Sequence, residues 1–161
     1  MSDTFRTGEI HGVIIKSLSR FNDSRGWLTE LFRIDEWPAE FHPAMAYLSS
    51  TIPGVTRGPH EHVDQADLFC FLGPATFKLR MWDNRADSET FGNVHTILVG
   101  QENPAVVLVP KGVVHAYQNV GEVDGIVVNC PNRLYMGDGK KEPIDEIRHE
   151  DDSETRFVMN D

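Results

Sequence analysis

Short apolar runs separated by turn-forming residues extend through most of the 161-residue sequence. The runs are rich in Val, Ile, Phe and Thr, which favour strands, and Gly, Pro, Asn and Asp cluster between them. The apolar spacing of an amphipathic helix is weak, and only one short helix is predicted, near Ile34–Phe41. The sequence therefore predicts an all-β sandwich or barrel. The predicted strands are Gly12–Lys16, Trp27–Arg33, Met45–Thr51, Leu68–Leu72, Thr76–Trp82, Val94–Val99, Ala105–Val109, His115–Val120 and Gly125–Asn129.

Length and charge limit the number of domains and the kinds of partner. A chain of 161 residues fits one domain with a real core. A formal charge of −10 argues against nucleic acid as a partner, because phosphate binders carry a basic excess. No apolar run approaches the roughly 20 residues of a membrane span, and the N-terminus does not resemble a signal peptide, so we expect a cytoplasmic protein. Residues 142–161 form an acidic C-terminal segment that we expect to be a solvated surface.

Two histidines one residue apart, His60 and His62, suggest where the chemistry lies. On an extended chain both side chains point to the same side. Asp67 and a third histidine, His115, would complete a set of three nitrogens and one oxygen. That set suits zinc, iron, nickel, manganese or copper rather than calcium. The alternative is that these histidines hold and deprotonate an organic substrate, since histidine titrates near neutral pH.

Two segments resemble the sequence motifs of the cupin superfamily. Residues 58–73 contain a glycine, the His60-x-His62 pair, an acid and a closing glycine, as in the first motif. Residues 110–119 contain the second, in which a proline and a glycine turn the chain before His115. The resemblance implies a cupin jelly roll, a double-stranded β-helix barrel. We expect a single cupin domain over residues 1–161, with strands from about residue 12 to residue 135.

A narrower resemblance covers most of the chain. Residues 21–30, 57–60 and 83–92 are similar, in order, to conserved segments of dTDP-4-dehydrorhamnose 3,5-epimerases. The chain is identified as a divergent member of that family. Family members are homodimeric cupins of carbohydrate biosynthesis that need no metal or other cofactor. In them a histidine base removes the protons next to the keto group of a nucleotide-linked 4-keto-6-deoxy sugar, so the resemblance implies an isomerase with a small-molecule substrate.

The resemblance also assigns roles to individual side chains. By position, His60 is the general base and His115 lies near the substrate. Asp83 is placed to orient a histidine, and Tyr135 matches one of two family tyrosines. An arginine side chain can bind two oxygens of a diphosphate at once, and an aromatic ring can stack on a nucleotide base. The residues that would contact the nucleotide or sugar are Phe21, Arg25, Glu30 and Arg57.

The chain departs from the family at positions that carry chemistry. His62 stands where the family has a glutamine, and Asp67 where it has a lysine that neutralises the developing enolate. An anion at that position opposes the enolate. Asn129 replaces the tyrosine that acts as the acid and cannot protonate a carbanion. The family's aspartate partner of the histidine base would have to be replaced by Asp145, Asp151 or Asp152.

Three kinds of function follow from these matches and departures. The first is a sugar-nucleotide epimerase that uses His60 without a metal. The second is a metal-dependent cupin enzyme in which His60, His62, Asp67 and His115 bind Zn, Fe, Ni or Mn. The third is a non-catalytic cupin that binds a sugar or a nucleotide.

Overall fold

Strands make up nearly all the regular structure of residues 5–160, the part of the chain that the computed structural model describes. The helical elements of these residues are three short 3-10 helices, at Ile34–Glu36, Asp138–Lys140 and His149–Asp151. The strands are β1 (Arg6–Thr7), β2 (Ile14–Ser17), β3 (Phe21–Asp23), β4 (Gly26–Leu28), β5 (Tyr47–Thr51), β6 (Thr56–Glu61), β7 (Asp67–Gly73), β8 (Thr76–Asp83), β9 (Asn93–Gly100), β10 (Ala105–Val109), β11 (Val113–Asn119), β12 (Gly125–Asn129) and β13 (Ile147–Arg148).

Two sheets form the body of the molecule. One has the strand order β1-β9-β8-β11-β6-β13 and the other β2-β10-β7-β12-β5, while β3 and β4 form a separate hairpin. Neighbouring strands are antiparallel except for the short β1–β9 pair. From β5 to β13, consecutive strands lie in alternate sheets, except that β8 and β9 are neighbours in the same sheet, and such crossing between sheets is typical of a jelly roll. The predicted all-β cupin fold is confirmed.

The main core lies between the two sheets. Side chains alternate along each strand, so Phe69 and Phe71 of β7 point inward, as do Phe77 and Leu79 of β8. Burying each of these side chains contributes about 1.5–3 kcal/mol. The inward row of β7 begins with the carboxylate of Asp67, which is 1% exposed. The core therefore ends in a polar cluster.

A second apolar cluster covers the outer face of the five-stranded sheet. Leu68 and Cys70 of β7 belong to it and pack with Trp37 and Phe41 from the segment after β4. The apolar run in β7 is continuous rather than alternating because both faces of the strand are buried.

Eight of the nine predicted strands are present, with ends shifted by at most two residues. The predicted strand Trp27–Arg33 is wrong beyond β4, which ends at Leu28. The predicted helix is reduced to the 3-10 turn Ile34–Glu36, because Pro38 disfavours a helical conformation of the residue before it. Strand β6 was not predicted, because its Gly-Pro pair is typical of turns.

Most of the acidic C-terminal segment is exposed, as expected, but the segment is also part of the fold. Strand β13 pairs with β6, and Phe157 is 5% exposed against Trp82 on the outer face of the six-stranded sheet. The described residues contain no helix long and apolar enough to cross a membrane.

Candidate active site

Three histidines meet at one end of the barrel because of strand register. His60 of β6 lies opposite His115 of β11, and their ring centroids are 4.6 Å apart. His62 follows β6 on the same side of the chain, 5.7 Å from His60 and 5.9 Å from His115 between centroids. Strand β7 starts beside them with Asp67. The structure therefore brings together all four donors that the sequence analysis grouped.

Gly58 allows β6 to approach β11 closely enough for this meeting. Its φ is +83°, and a Cβ atom there would lie 2.5 Å from the carbonyl oxygen of His115. Any other residue would strain the backbone and collide with the neighbouring strand.

Asp67 is the anionic centre of the cluster. Its Oδ2 lies 3.0 Å from His62 Nε2 and 3.3 Å from His115 Nε2. Its Oδ1 accepts hydrogen bonds of 2.9 Å from Gln65 Nε2 and 2.8 Å from Asn129 Nδ2. Burial alone would raise the pKa of Asp67, but the contacts with His115 and His62 outweigh it and hold the pKa well below its usual range. Asp67 is therefore ionised.

His62 lies between two acceptors. Its Nδ1 contacts the carbonyl oxygen of Asp145, and its Nε2 contacts Asp67. Burial opposes the charged form, but the contacts with Asp67 and Asp145 raise the pKa of His62 to about 9. The Asp145 carboxylate also accepts three backbone N–H bonds from residues 63–65 and so fixes the loop between β6 and β7.

His60 lies on the outer side of the cluster and meets carboxylates of the C-terminal segment. Its Nδ1 is 3.4 Å from Glu146 Oε1 and 3.8 Å from Glu150 Oε1. Burial, followed by the neighbouring His115 and His62, lowers the pKa of His60, so the ring is neutral. Sequence reasoning considered the aspartates of this segment and missed both glutamates. Only the docking of β13 onto β6 reveals which acid faces the ring.

A cleft of about 1010 Å³ opens beside His60 and His62. Its other wall is the loop of residues 131–146, which contributes Tyr135 and the basic side chains of Arg133 and Lys140. The volume lies at the upper end of the range of about 300–1,000 Å³ that small-molecule sites occupy.

Three residues predicted to bind the nucleotide or sugar do not line this cleft. Phe21 and Glu30 border a separate cleft of about 230 Å³ on the other side of β2 and β10. Arg25 is exposed in the β3–β4 hairpin and pairs with Asp23 of the same hairpin.

Arg57 and Asp83 have structural partners. Arg57 Nε donates to Thr51 Oγ1 at 2.9 Å. Asp83 is fully buried, and it accepts hydrogen bonds from Arg85, Ser88 and the side chain of residue 90, all in the loop that follows β8. Asp83 therefore stabilises this loop. Its described hydrogen-bond partners do not include a histidine, which was its predicted partner.

A family model described as dTDP-4-dehydrorhamnose 3,5-epimerase matches residues 7–151. The chain belongs to this family. The matched span includes β2 to β13 and all three clustered histidines, so the predicted family is confirmed.

Two relatives and one solved structure show how this epimerase-family chain compares with known proteins. The probable low-salt glycan biosynthesis epimerase Agl13 of Haloferax volcanii is 37% identical over 128 residues, which are 78% of this chain and 81% of that protein. The spore coat polysaccharide biosynthesis protein SpsL of Bacillus subtilis is 36% identical over 129 residues, 80% and 84% of the two chains. The crystal structure of a dTDP sugar isomerase from Desulfovibrio desulfuricans G20 has a TM-score of 0.77 at 19% identity, covering 89% and 87% of the chains, which shows a shared fold.

Proposed function

We propose that the protein epimerises a nucleotide-linked 4-keto-6-deoxy sugar, with His60 as the base that removes a proton next to the keto group. The observation that carries this proposal is the position of His60, which lines the large cleft while its Nδ1 faces two carboxylates. Family membership supports the reaction class.

The surroundings of His60 select one tautomer. Nδ1 of His60 has no hydrogen-bond partner among the described residues, but it lies 3.4 Å from Glu146 Oε1 and 3.8 Å from Glu150 Oε1. Because carboxylates only accept hydrogen bonds, we assign the ring proton to Nδ1. Nε2 then holds a lone pair and can take a proton from carbon. After that transfer the ring is a cation, and the two glutamates stabilise it. In this proposal the two glutamates replace the aspartate that, by the family resemblance, pairs with the histidine base.

The reaction needs a base, an acid and stabilisation of negative charge. When the carbon–hydrogen bond breaks, the proton goes to His60 and the electron pair moves to the keto oxygen. Return of a proton to the opposite face of the carbon gives the epimer. Asn129 cannot act as the acid, whereas Tyr135 lines the cleft and has a hydroxyl that can donate a proton, so we assign Tyr135 as the acid.

Exchange of substrate hydrogen for solvent deuterium tests the role of His60. Wild-type protein should incorporate deuterium into dTDP- or UDP-linked 4-keto-6-deoxy sugars, as followed by mass spectrometry. His60→Asn should slow incorporation by at least about 10²-fold, the usual contribution of a general base. The exposed His42→Asn is the matched control and should leave the rate unchanged.

Two results would contradict the proposal. Undiminished exchange in His60→Asn would remove His60 from proton transfer. Thermal stabilisation by the nucleotide sugars without any exchange in the wild-type protein would instead identify a non-catalytic binding protein.

A further inference from the structure

The donor atoms beneath His60 are spaced like the ligands of a single metal ion. His62 Nε2 lies 3.0 Å and His115 Nε2 lies 3.3 Å from the same oxygen, Asp67 Oδ2. Two ligand atoms that are each about 2.1 Å from an ion lie about 3.0 Å apart at a right angle and about 3.4 Å apart at a tetrahedral angle. Both observed distances match these ligand-to-ligand spacings.

The buried Nε2 of His115 lies beside a carboxylate without a hydrogen bond. His115 Nδ1 lies 3.0 Å from the carbonyl oxygen of Val113, which only accepts, so Nδ1 carries the ring proton. Nε2 is buried and has no hydrogen-bond partner among the described residues, although Asp67 Oδ2 is 3.3 Å away. An ion bound to both atoms would satisfy the nitrogen lone pair and the carboxylate oxygen together.

The remaining contacts hold the donors in this orientation. His62 directs Nδ1 to the carbonyl oxygen of Asp145 and Nε2 to Asp67, the same arrangement as in His115. An ion would take the place of the Nε2 proton that faces Asp67, because a histidine ligand binds a metal in its neutral form. Histidine ligands of metals usually donate their second N–H to a carbonyl or a carboxylate. The amides of Gln65 and Asn129 hold Asp67 Oδ1, which leaves Oδ2 for the ion.

We propose that His62, Asp67 and His115 bind one divalent transition-metal ion. Two imidazoles and one carboxylate suit Zn²⁺, Fe²⁺, Ni²⁺ or Mn²⁺. His60, His62 and His115 also offer donor atoms within 4.8 Å of one another. We assign His60 to proton transfer rather than to the ligand set, because its Nδ1 faces Glu146 and Glu150 and it is not among the ion-pair partners of Asp67 in the described residues. The four-donor set expected from the sequence is thereby reduced to three, which leaves His60 free to act as a base.

The ion would also supply a charge that the family's chemistry requires, an inference that rests on the proposed function. Asp67 occupies the position of the family lysine that neutralises the enolate. A bound divalent cation more than offsets the negative charge of Asp67, and as a Lewis acid it stabilises negative charge on the keto oxygen. The metal site would therefore replace the lysine, while His60 keeps its role.

Binding of Co²⁺ tests the site independently of turnover. Protein purified without affinity metal and treated with chelator should bind one equivalent of Co²⁺, seen as visible d–d absorption. His62→Gln should weaken binding by more than about 100-fold, since loss of a direct ligand exceeds the effect of losing a supporting contact. His60→Asn and Glu146→Gln should bind Co²⁺ as the parent does.

A second ligand variant and a check of folding distinguish loss of the metal site from loss of the fold. His115→Gln should also lose the ion, and circular dichroism of each variant shows whether it is folded. Absence of saturable Co²⁺ binding in the parent would overturn the proposal. So would binding that survives in His62→Gln but is lost in His60→Asn and Glu146→Gln, because the ion would then lie between His60, Glu146 and Glu150, which also form a donor group.

Deuterium exchange with and without metal separates this inference from the proposed function. We expect exchange to fall at least tenfold in metal-free protein and to return when Zn²⁺ or Mn²⁺ is added. Full exchange without metal would remove the ion from the reaction and leave the epimerase proposal standing. Co²⁺ binding without any exchange would contradict the epimerase proposal and support the site.

Discussion

Asp67 is an ionised carboxylate at a position that is 1% exposed, and its neighbours must compensate for its burial. A buried charge without partners costs several kcal/mol even after the protein relaxes. Here two amides contact one oxygen and two histidines contact the other. The same negative charge orients the histidines, so the stability and the chemistry of the site depend on one side chain.

Asn129 should therefore contribute measurably to stability. It donates to Asp67 Oδ1, and its own Oδ1 accepts a bond from the backbone N–H of Leu68. Asn129→Ala removes one of the two hydrogen bonds to Asp67 Oδ1 and the side-chain acceptor of the Leu68 N–H, so it should lower the free energy of unfolding by about 2–4 kcal/mol, measured by urea denaturation. The exposed Asn22→Ala serves as the control and should have little effect.

Glu146 should affect rate more than stability. Removing its charge with Glu146→Gln destabilises the cation that forms on His60 and should slow deuterium exchange by about 10- to 100-fold. Glu142→Gln changes another glutamate of the same cleft and should not slow exchange. Equal rates for the two variants would refute the role of Glu146, and matching melting temperatures would exclude a purely structural cause.

Strand β6 presents His60 and ends at Glu61, just before His62, and it depends on its glycine. The sequence allowed us to predict that the two histidines lie on one side of an extended chain, because side chains alternate. It did not reveal the strand itself, since Gly58 and Pro59 are typical of turns. The reason for the glycine is tertiary: it lies against the carbonyl oxygen of His115, which is 57 positions further along the chain.

Gly54 and Gly58 have similar backbone angles, so substituting each one separates the cost of backbone strain from the cost of a steric clash with a neighbouring strand. Gly58 has φ +83° and no room for a Cβ, whereas Gly54 has φ +78° and nothing within 4 Å of the added atom. Gly54→Ala should cost about 1–2 kcal/mol, from backbone conformation alone. Gly58→Ala should cost at least about 2 kcal/mol more, because β6 must move away from β11. Equal denaturation midpoints would show that β6 shifts without penalty.

The loop after β8 should be sensitive to acid through Asp83. Burial alone raises the pKa of Asp83, but hydrogen bonds from Arg85, Ser88 and Thr90 outweigh it and lower the pKa to about 2. The carboxylate therefore contributes stability that is complete above about pH 4 and is lost as the pH falls towards 2. Asp83→Asn should lower the free energy of unfolding at pH 7 by about 2 kcal/mol, with a smaller difference from wild type at pH 3. An unchanged difference at the two pH values would contradict this account.

At the scale of the whole molecule, we expect the predicted nucleotide contacts to require a second subunit. Phe21, Arg25 and Glu30 do not line the cleft of their own chain. The family resemblance predicts both a homodimer and contacts of these residues with the nucleotide. Both expectations hold together if the β3–β4 hairpin of one subunit reaches the cleft of its partner.

Mixed dimers test this arrangement. We expect light scattering to give the mass of a dimer, and His60→Ala and Arg25→Ala proteins to be inactive separately. After the two are mixed and exchange subunits, about one quarter of the sites should combine an intact His60 with an intact Arg25. Recovery of about that share of the exchange activity would support a shared site. No recovery in proven mixed dimers would contradict a shared site.

The fold and the histidine cluster could be predicted because local patterns encode them. Alternation, turn residues and two motifs located most strands and the four donors. The partners of those donors could not be predicted, since Glu146, for example, reaches His60 across 86 positions of sequence. Which nitrogen of each histidine carries a proton depends on such distant acceptors and on burial, and neither has a local sequence signal.

The residues around strand β13 complete the site, and they are synthesised after the strands of the barrel. A ribosome makes the barrel strands β1 to β12 before residues 145–150, which hold His62 through a carbonyl and face His60 with two carboxylates. Asp67 is made with the barrel, so the carboxylates of Glu146 and Glu150 are the acidic neighbours that are added last. A released chain that ended at residue 140 would have a cleft with one wall incomplete and a base without its counter-charge, so we expect it to be inactive towards keto sugars even where the barrel strands are complete.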